Sequence, residues 1–352
     1  MSIVEQKHRI IEGEYLRDIL DQPRALTATM DGTISPDALL PLAQQLKQGI
    51  LKRIVLTGMG SSLHALYPLH QFLSSHGCAT LIIETSELVY YFPHLLDPST
   101  LIIAVSQSGR SAEIITLLEK NQGRARIIGV TNTAESPLVS GADVALLTYA
   151  GEEFSVSCKT YVTALMVISQ MGALLGFADL GPIRSELAQA PPDAAAYLNS
   201  WRDHVLELVS YLENTHNLFL VGRGISLAAV GTGALTTKES AHFPAEGMSS
   251  AAFRHGPLEM VSEKTFVGVF AGHEATGELN ARLVEDIRRQ GGKAELIGPE
   301  AQLSSLRIPA APDSVVPILE ILPAQMITLA LAALSGREAG RFSFASKVTT
   351  IE

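Results

Sequence analysis

The sequence predicts an α/β fold made of two similar halves, each a doubly wound parallel sheet covered by helices. Hydrophobic, strand-like runs alternate with helical patterns, and this alternation stops once at a polar segment and then starts again. A Gly-x-Gly-x-Ser-Leu motif also follows a strand-like run in each half. These observations together indicate a duplicated three-layer αβα architecture.

The first half is expected over residues 49–195, after a helical N-terminal arm at residues 1–48. A long apolar helix is expected at about 158–177. The connector that follows it, ADLGPIRSELAQAPPDAAAYL, is polar and contains prolines, which is typical of a boundary between domains. The strand-like runs of this half are RIVLTG, ATLIIET, LIIAVS, ARIIGVTN and VALLTYA.

The second half is expected over residues 196–335, with a C-terminal tail at residues 336–352. Its strand-like runs are NLFLVGRG, FVGVFAG and AELIGP, its closing helix lies around 317–335, and HFPAEGMSSAAFRHGP is expected to be a loop. The motif GMGSSLHA of the first half corresponds to GRGISLAA of the second, with Gly58 matching Gly222 and Ser62 matching Ser226. The constant offset indicates an internal duplication.

Composition excludes several classes of function. The 352 residues are 47% hydrophobic and 18% charged, as in globular proteins with a sizeable core. A net charge of −10 without a Lys/Arg run argues against a nucleic-acid partner. Two cysteines, Cys78 and Cys158, are too few for a metal cluster, so no metal is expected.

No membrane partner is expected either. The N-terminus is charged from Glu5 onwards, unlike a signal peptide. The two most apolar stretches, VTALMVISQMGALLGF and PILEILPAQMITLALAAL, contain polar residues or proline and are expected to be buried helices. These features predict a cytoplasmic protein.

A serine cluster lies where the run LIIAVS passes into the next helix. Serines are common in turns and at helix N-caps, so Ser106, Ser108 and Ser111 have a purely structural explanation. The alternative is a phosphate site, because a helix N-terminus offers unpaired N–H groups and hydroxyls can add to them. At the equivalent positions of the second half stand Phe270 and Gly272. The absence of the serines from one copy favours a ligand in the first half.

The glycine motif of the first half also invites a dinucleotide interpretation. Gly58 and Gly60 follow a strand, and Glu84 ends the next strand, where a ribose-binding acid would lie. The third glycine, however, is replaced by Leu63, and a serine pair stands in the turn. This departure favours a phosphate or sugar ligand, so no cofactor is expected.

Four motifs in order along the chain, GMGSSLHA, VSQSGRSAE, KES…FRHGPLEM and SKVTTIE, resemble the sugar isomerase (SIS) family. Within that family they are similar to the isomerase half of glucosamine-6-phosphate synthase, amino-sugar-phosphate deaminases and fructosamine-phosphate deglycases. The resemblance covers nearly the whole chain. It implies two flavodoxin-like SIS subdomains, a hexose 6-phosphate or amino-sugar phosphate ligand, and a homodimer with composite active sites.

The resemblance also implies roles for individual residues. Glu239 corresponds to the general base, His255 to the histidine that opens the sugar ring, and Lys347 to the lysine of the C-terminal tail. The segment EEFSVSCKT resembles the loop that contacts the sugar, with Ser157 as the contacting residue. The implied substrate-binding residues are Ser61, Ser62, Ser106, Gln107, Ser108, Ser111 and Ser157.

Each catalytic candidate has a plain structural alternative. Glu239 follows Lys238 on a helix and suits a solvated charge, His255 precedes a Gly-Pro turn, and Lys347 lies in a tail. Their joint occurrence at the family's spacing favours catalysis. A non-catalytic sugar-phosphate sensor, the alternative function, would need the serines but not these three residues together.

The sequence departs from the synthase in two ways. No glutamine-hydrolysing domain is expected, and Thr236 stands where the family carries a basic residue. The expected reaction is therefore aldose–ketose isomerisation at C1–C2 of a hexose 6-phosphate, coupled to amine release. The substituent at C2 stays open between a free amine, an amino-acid adduct and a hydroxyl.

Overall fold

The computed structural model describes residues 11–32, 34–176, 178–343 and 347. The first ten residues of the predicted arm, and residues 344–346 and 348–352 of the predicted tail, lie outside the described residues. The chain divides into two compact units. The first-sheet unit comprises Arg24–Glu152, Lys159–Ala188 and Phe344–Glu352; the second-sheet unit comprises Met1–Pro23, Glu153–Cys158 and Gln189–Ser343.

Parallel strands form one sheet in each unit. The first sheet has the strand order β2-β1-β3-β4-β5, and the second has the order β7-β6-β8-β9. In each sheet the order of the strands changes direction beside the strand that comes first in the sequence, β1 or β6. Open α/β sheets bind ligands at this kind of reversal. The strands are β1 (Arg53–Gly58), β2 (Thr80–Glu84), β3 (Thr100–Val105), β4 (Arg126–Thr131), β5 (Val144–Leu147), β6 (Asn217–Gly222), β7 (Ala245–Ser249), β8 (Thr265–Phe270) and β9 (Lys293–Ile297).

Helices precede and cover the sheets. They are α1 (Glu14–Leu20), α2 (Gln22–Asp31), α3 (Pro36–Lys47), α4 (Ser61–His64), α5 (Tyr67–Ser75), α6 (Thr85–Tyr91), α7 (Ala112–Asn121), α8 (Pro137–Gly141), α9 (Lys159–Leu175), α10 (Leu180–Leu187), α11 (Ala190–Leu198), α12 (Trp201–Tyr211), α13 (Leu227–Ala241), α14 (Ser250–Arg254), α15 (Glu274–Arg289) and α16 (Val316–Leu334).

One hydrophobic cluster of the first-sheet unit lies between its strands and the helices α6, α7 and α8. All six residues of β3 are buried, as expected for a central strand of a parallel sheet. Helix α7 turns Ile114 and Leu117, three residues apart and therefore on one face, toward Ile102 and Ile127 of the sheet. This packing holds the N-terminus of α7 at the carboxyl end of β3.

The second-sheet unit has an equivalent core. Valines of β6 and β8 pack against Leu283 and Ile287 of α15. Phe219 and Phe253 meet edge to face, with ring centroids 5.2 Å apart, and tie α14 to β6. Helix α16 is long and apolar enough to span a membrane, with a mean hydropathy of 1.7, but 94% of that apolar window is buried, as in a core helix.

The duplication predicted from the two glycine motifs is confirmed by the fold. Gly60 and Gly224 both have a left-handed backbone, with φ of 51° and 58°, and each stands between a strand and the following helical turn. Only glycine adopts this conformation without a steric penalty.

Two segments differ from the sequence-based expectation. The predicted loop after α13 contains the edge strand β7 and the helix α14. β7 has no hydrophobic run and forms because it pairs with β6, where Gly247 lets the strand approach the Val230 carbonyl closely. The predicted connector contains α10 and α11; Pro191 lies in the first turn of α11, where proline needs no N–H partner.

A buried carboxyl group lies in the core of the second-sheet unit. Glu320 of α16 is 2% exposed, and its Oε1 accepts a hydrogen bond from Ser226 Oγ at 2.7 Å. Burial raises the pKa of Glu320 to about 8, whereas the Ser226 hydrogen bond lowers it. The side chain therefore holds a proton at neutral pH.

We expect Glu320→Gln to stabilise the protein increasingly as the pH rises. The wild-type unfolded chain loses this proton near the ordinary glutamate pKa, while the folded protein keeps it until about pH 8. The wild-type free energy of unfolding therefore falls across this window, by at most about 1.4 kcal/mol per pH unit. Denaturant unfolding of both proteins between pH 5 and pH 8 measures the difference. Glu278→Gln, at a side chain that is 86% exposed, is the control, and parallel pH profiles for all three proteins would contradict the assignment.

Candidate functional site

The serine-rich loop after β3 is tied to the end of β4. The N–H of Ser106 donates to the carbonyl of Val130 at 3.0 Å, and the carbonyl of Gln107 accepts from the N–H of Asn132 at 3.1 Å. The carbonyl of Gly109 accepts from the N–H of Leu138 at 3.0 Å. The loop backbone is therefore fixed by neighbouring structure, which leaves its side chains for other contacts.

The hydroxyls of Ser106 and Ser108 partly fulfil the turn role expected of serines. Ser106 Oγ accepts the N–H of Gly109 at 3.2 Å, and Ser108 Oγ accepts the N–H of Arg110 at 3.3 Å. Both residues are buried. Because a hydroxyl that accepts still carries its own proton, both serines retain a donor for an anion.

Gly109 gives the loop its tight path. Its φ of +61° is left-handed, and a Cβ there would overlap Ser136 Oγ and lie 2.8 Å from Ser136 Cβ. Glycine is needed on both grounds, of conformation and of space.

Ser111 precedes the first residue of α7, in the N-cap position. Its backbone is extended, yet its hydroxyl makes no capping hydrogen bond within the described structure. The guanidinium of the neighbouring Arg110 donates to the carbonyl of Glu135 at 3.0 Å. The donors available at this helix N-terminus are therefore hydroxyls and backbone N–H groups.

The second predicted serine pair lies at the end of the adjacent strand. Gly58 of β1 is opposite Val105 of β3 in the parallel register, and α4 starts at Ser61. Ser61 is buried and Ser62 is half-buried. Because parallel strands end at the same edge, the fold brings six of the predicted substrate-binding residues to one edge of one sheet. These are Ser61, Ser62, Ser106, Gln107, Ser108 and Ser111.

Glu239 lies near the end of α13, in the second-sheet unit. It is half-buried, and burial raises its pKa to about 7, while the charge of Lys238 lowers it. Lys238 is exposed and lies 3.9 Å from Glu246 Oε1. Among the described residues, no hydrogen bond or ion pair holds the Glu239 carboxyl. A carboxyl in this state exchanges its proton near neutral pH.

His255 immediately follows α14, also in the second-sheet unit. Its backbone N–H donates to the carbonyl of Ala252 at 3.0 Å, so the residue takes part in a turn, as its structural alternative in the sequence analysis proposed. Its side chain is exposed and makes no hydrogen bond or ion pair to any described residue. The ring is therefore available to a ligand or to another chain.

Ser157 belongs to the loop Glu153–Cys158, which packs with the second-sheet unit. Asp18 of α1 holds this loop, since its Oδ2 accepts the N–H groups of Phe154 at 2.8 Å and Ser155 at 3.2 Å. Lys347 is half-buried and belongs to the first-sheet unit. The predicted site residues are thus divided between the two units, with Glu239, His255 and Ser157 in one and the rest in the other.

Tyr15 is a buried residue close to the segment of Glu239, and the sequence analysis did not single it out. Its side chain is fully buried, and its hydroxyl lies near those of Thr236 and Ser240, one residue beyond Glu239. Burial, above all, holds the pKa of Tyr15 well above its usual value. A single tyrosine in an N-terminal arm carries no pattern that would have identified it.

We expect Ser111→Ala to weaken hexose 6-phosphate binding by roughly tenfold or more, since a hydrogen bond to a charged group contributes about 1.5–3 kcal/mol. The melting temperature of this variant should hardly change, because the Ser111 hydroxyl makes no capping hydrogen bond to α7. Asp179→Ala is the control: Asp179 caps α10 by accepting the N–H of Gly181 at 3.0 Å, so this variant should lose stability and keep its affinity. Calorimetric titration and thermal unfolding of both variants make the comparison. A destabilised Ser111→Ala with unchanged affinity would contradict a phosphate role.

Comparison with known proteins agrees with this architecture. A family model described as the SIS domain matches residues 51–174 and 211–335. The chain is 30% identical over 354 residues to the glutamine–fructose-6-phosphate aminotransferase (isomerizing) of Pyrococcus horikoshii, an alignment that covers 96% of this chain and 57% of that protein. The chain thus spans less than two thirds of the length of the curated relatives it matches.

Two solved structures are similar over almost the whole chain. The C-terminal domain of glucosamine-fructose-6-phosphate aminotransferase from Francisella tularensis has a TM-score of 0.82 and 22% identity, covering 94% of this chain and 98% of that one. A putative phosphosugar isomerase from Silicibacter pomeroyi DSS-3 has a TM-score of 0.77 and 26% identity, covering 92% and 99%. The SIS resemblance and the fold predicted from the sequence are thereby confirmed. The chain belongs to the SIS domain family and contains two copies of the domain.

Proposed function

We propose that the protein is a phosphosugar isomerase that acts at C1–C2 of a hexose 6-phosphate and releases an amine from C2. The observation that carries this proposal is Glu239, a half-buried carboxyl whose pKa is raised to about 7. Membership in a family with phosphosugar isomerases among its solved structures supports the isomerase class.

Glu239 is the proposed base. Isomerisation takes a proton from C2 and returns it to C1, and one carboxylate can do both if it faces both carbons. General acid–base catalysis is most effective when the pKa of the group lies near the working pH. An ordinary exposed glutamate would be too weak a base, whereas partial burial brings Glu239 into this range.

The serine loop is the proposed phosphate site. Ser106, Ser108 and Ser111 offer hydroxyl protons at the N-terminus of α7, whose dipole favours an anion. The chain carries a net charge of −10, so this affinity would come from local donors and not from a basic surface.

His255 and Lys347 complete the proposed chemistry. Opening the sugar ring needs a group that gives and takes protons near neutral pH, which histidine does. Charge then develops on the oxygen at C1 of the enolamine, and the ammonium of Lys347 is the proposed counter-charge. As the carbonyl leaves C1, the amine at C2 becomes an imine. Water hydrolyses this imine to a ketone and the free amine.

An amine at C2 is the proposed substituent, either free or as an amino-acid adduct. The Pyrococcus relative, whose name describes an aminotransferase of fructose 6-phosphate, supports this choice. Thr236, which stands where the family carries a basic residue, is buried and donates to the carbonyl of Gly233 at 3.2 Å. The substrate is therefore proposed to differ from that of relatives with a cation there. Ammonia and hexose-phosphate release over a panel of C2-amino, C2-adduct and C2-hydroxyl sugar phosphates tests this choice.

We further propose that the enzyme works in the cytoplasm as a homodimer in which His255 serves the partner's site. The exposure of this side chain, without a hydrogen bond or ion pair to any described residue, supports a role outside its own chain. Sedimentation velocity at micromolar concentration distinguishes this dimer from a monomer.

We expect Glu239→Gln to lower kcat by at least about 10²-fold, the lower end of what a general base contributes. Glutamine keeps the shape and removes only the proton exchange, so phosphosugar affinity should stay nearly unchanged. Turnover and the incorporation of solvent deuterium at C1 or C2 are the measurements.

Glu320→Gln is the matched control for this variant. Glu320 is also a buried carboxyl with a raised pKa, but it is enclosed in the core and bonded to Ser226. Glu320→Gln should catalyse the incorporation of solvent deuterium into the sugar at the wild-type rate. If Glu239→Gln also exchanged at that rate, Glu239 would be structural and the proposed mechanism would be wrong.

A further inference from the structure

Thr131, the last residue of β4, holds the peptide group that joins Gln107 to Ser108. Its hydroxyl donates to the carbonyl of Gln107 at 3.1 Å, and the same carbonyl accepts the N–H of Asn132 at 3.1 Å. The Thr131 oxygen in turn accepts the N–H of Thr133 at 3.3 Å, which leaves its own proton for Gln107. Two donors at the end of β4 therefore fix one carbonyl of the serine loop.

These two donors are themselves held in place. Thr131 is 1% exposed and lies on β4 where this strand pairs with β5, and its carbonyl accepts the N–H of Thr148 at 3.0 Å. The side chain of Asn132 is fixed as well, because its Oδ1 accepts the N–H of Ala150 at 2.8 Å. The position of the Gln107 carbonyl is thus set by the end of the sheet and not by the loop alone.

This contact determines where the backbone N–H of Ser108 points. A peptide group is planar and trans, so this N–H points opposite to the Gln107 carbonyl and therefore away from β4. It makes no hydrogen bond to any described residue, although Ser108 is only 9% exposed. Backbone N–H groups in buried segments are nearly always paired in folded proteins. An unpaired one beside the buried hydroxyls of Ser106 and Ser108 points to a ligand.

We propose that Thr131 is a positioning residue for the phosphate site: by holding the Gln107 carbonyl, it presents the N–H of Ser108 to the phosphate. A donor that is oriented before binding loses little freedom when the anion arrives, which favours affinity. The effect on binding rests on the proposed function, in which the serine loop holds a phosphate. The contact between Thr131 and Gln107 does not depend on that proposal.

Thr163 of α9 provides a matched control. It is also a fully buried threonine of the first-sheet unit, and its hydroxyl donates to the carbonyl of Lys159 at 2.8 Å, within its own helix. Thr131→Val and Thr163→Val each replace a buried hydroxyl with a methyl group of similar size. Only Thr131→Val releases a carbonyl of the serine loop. Thr131→Ser is the conservative variant, because it keeps the hydroxyl.

The first readout is the affinity for glucose 6-phosphate and for inorganic phosphate, measured by calorimetric titration without turnover. We expect Thr131→Val to weaken the binding of both by roughly threefold to tenfold, the effect of losing one hydrogen bond. Thr131→Ser should bind both as the wild type does. Thr163→Val should also keep the wild-type affinity, even where its melting temperature falls as far as that of Thr131→Val.

The second readout is the separate measurement of kcat and KM for the hexose phosphate. The phosphate group is remote from C1 and C2, so it is held equally in the ground state and in the transition state. Losing such an interaction raises KM and leaves kcat unchanged. We expect this pattern for Thr131→Val, with KM raised by the same factor as the dissociation constant. A merely structural role for Thr131 would instead reduce the amount of folded enzyme and leave KM unchanged.

A measurement on the wild type keeps the inference testable if Thr131→Val folds poorly. The amide proton resonance of Ser108 should shift downfield when inorganic phosphate is added, because a hydrogen bond to an anion forms there. The amide resonance of Gly123, in the exposed turn after α7, is the reference and should not shift.

Unchanged affinity in Thr131→Val, together with weaker binding in Ser111→Ala, would overturn the inference and leave the phosphate site standing. Equal weakening in Thr163→Val, or a Ser108 amide that does not respond to phosphate, would overturn it as well. If neither Thr131→Val nor Ser111→Ala bound phosphate more weakly, the serine loop would not be the phosphate site, and this part of the proposed function would be wrong together with the inference.

Discussion

Both units depend on the parallel pairing of one central strand with neighbours on either side. β1 pairs with β2 and β3, and β6 pairs with β7 and β8. The connections leave such a strand pair in opposite directions, so space opens at the carboxyl edge of the sheet. In the first sheet this edge carries the serine loop. At the same edge of the second sheet, Phe270 is fully buried, and the Ser226 hydroxyl donates a hydrogen bond to Glu320. The scaffold is repeated, and the hydroxyl-rich edge is not.

Two glutamates of the second-sheet unit show how one residue type takes two roles. Burial raises the pKa of both Glu320 and Glu239. Glu320 is enclosed, and Ser226 donates a hydrogen bond to it, so its proton belongs to the packed core. Glu239 is only half-buried and has no hydrogen-bond partner among the described residues, so its proton can be exchanged. The degree of enclosure therefore separates a structural acid from a candidate base.

Local patterns made much of the fold predictable from sequence. A hydrophobic run that ends in a glycine–serine turn predicted β1, β3 and β6, and the motif repeat predicted the duplication. Strand β7 was missed because it owes its conformation to pairing with β6 and not to its own composition. Tyr15 was missed for a related reason: the residues that surround its hydroxyl are far away in sequence.

Some properties of the candidate site could be predicted from the sequence and others could not. The serine cluster follows from a contiguous motif whose residue types suit an anion, whereas the role of Glu239 was implied only by the resemblance to the SIS family. The raised pKa of Glu239 could not be predicted, since the preceding Lys238 suggests a solvated helix face. Burial outweighs that lysine, whose charge is exposed and lies near Glu246.

In the proposed mechanism, Glu239 must lose a proton, at an unusually high pKa, before the sugar can react. The pH dependence of kcat/KM for the hexose phosphate measures this proton loss, because the ratio reports the ionisation of essential groups in the free enzyme. With Glu239 as the base, we expect this ratio to fall as the pH drops below about 7, where Glu239 becomes protonated. A loss of activity only near pH 4.3, the approximate pKa of an ordinary glutamate, would contradict it.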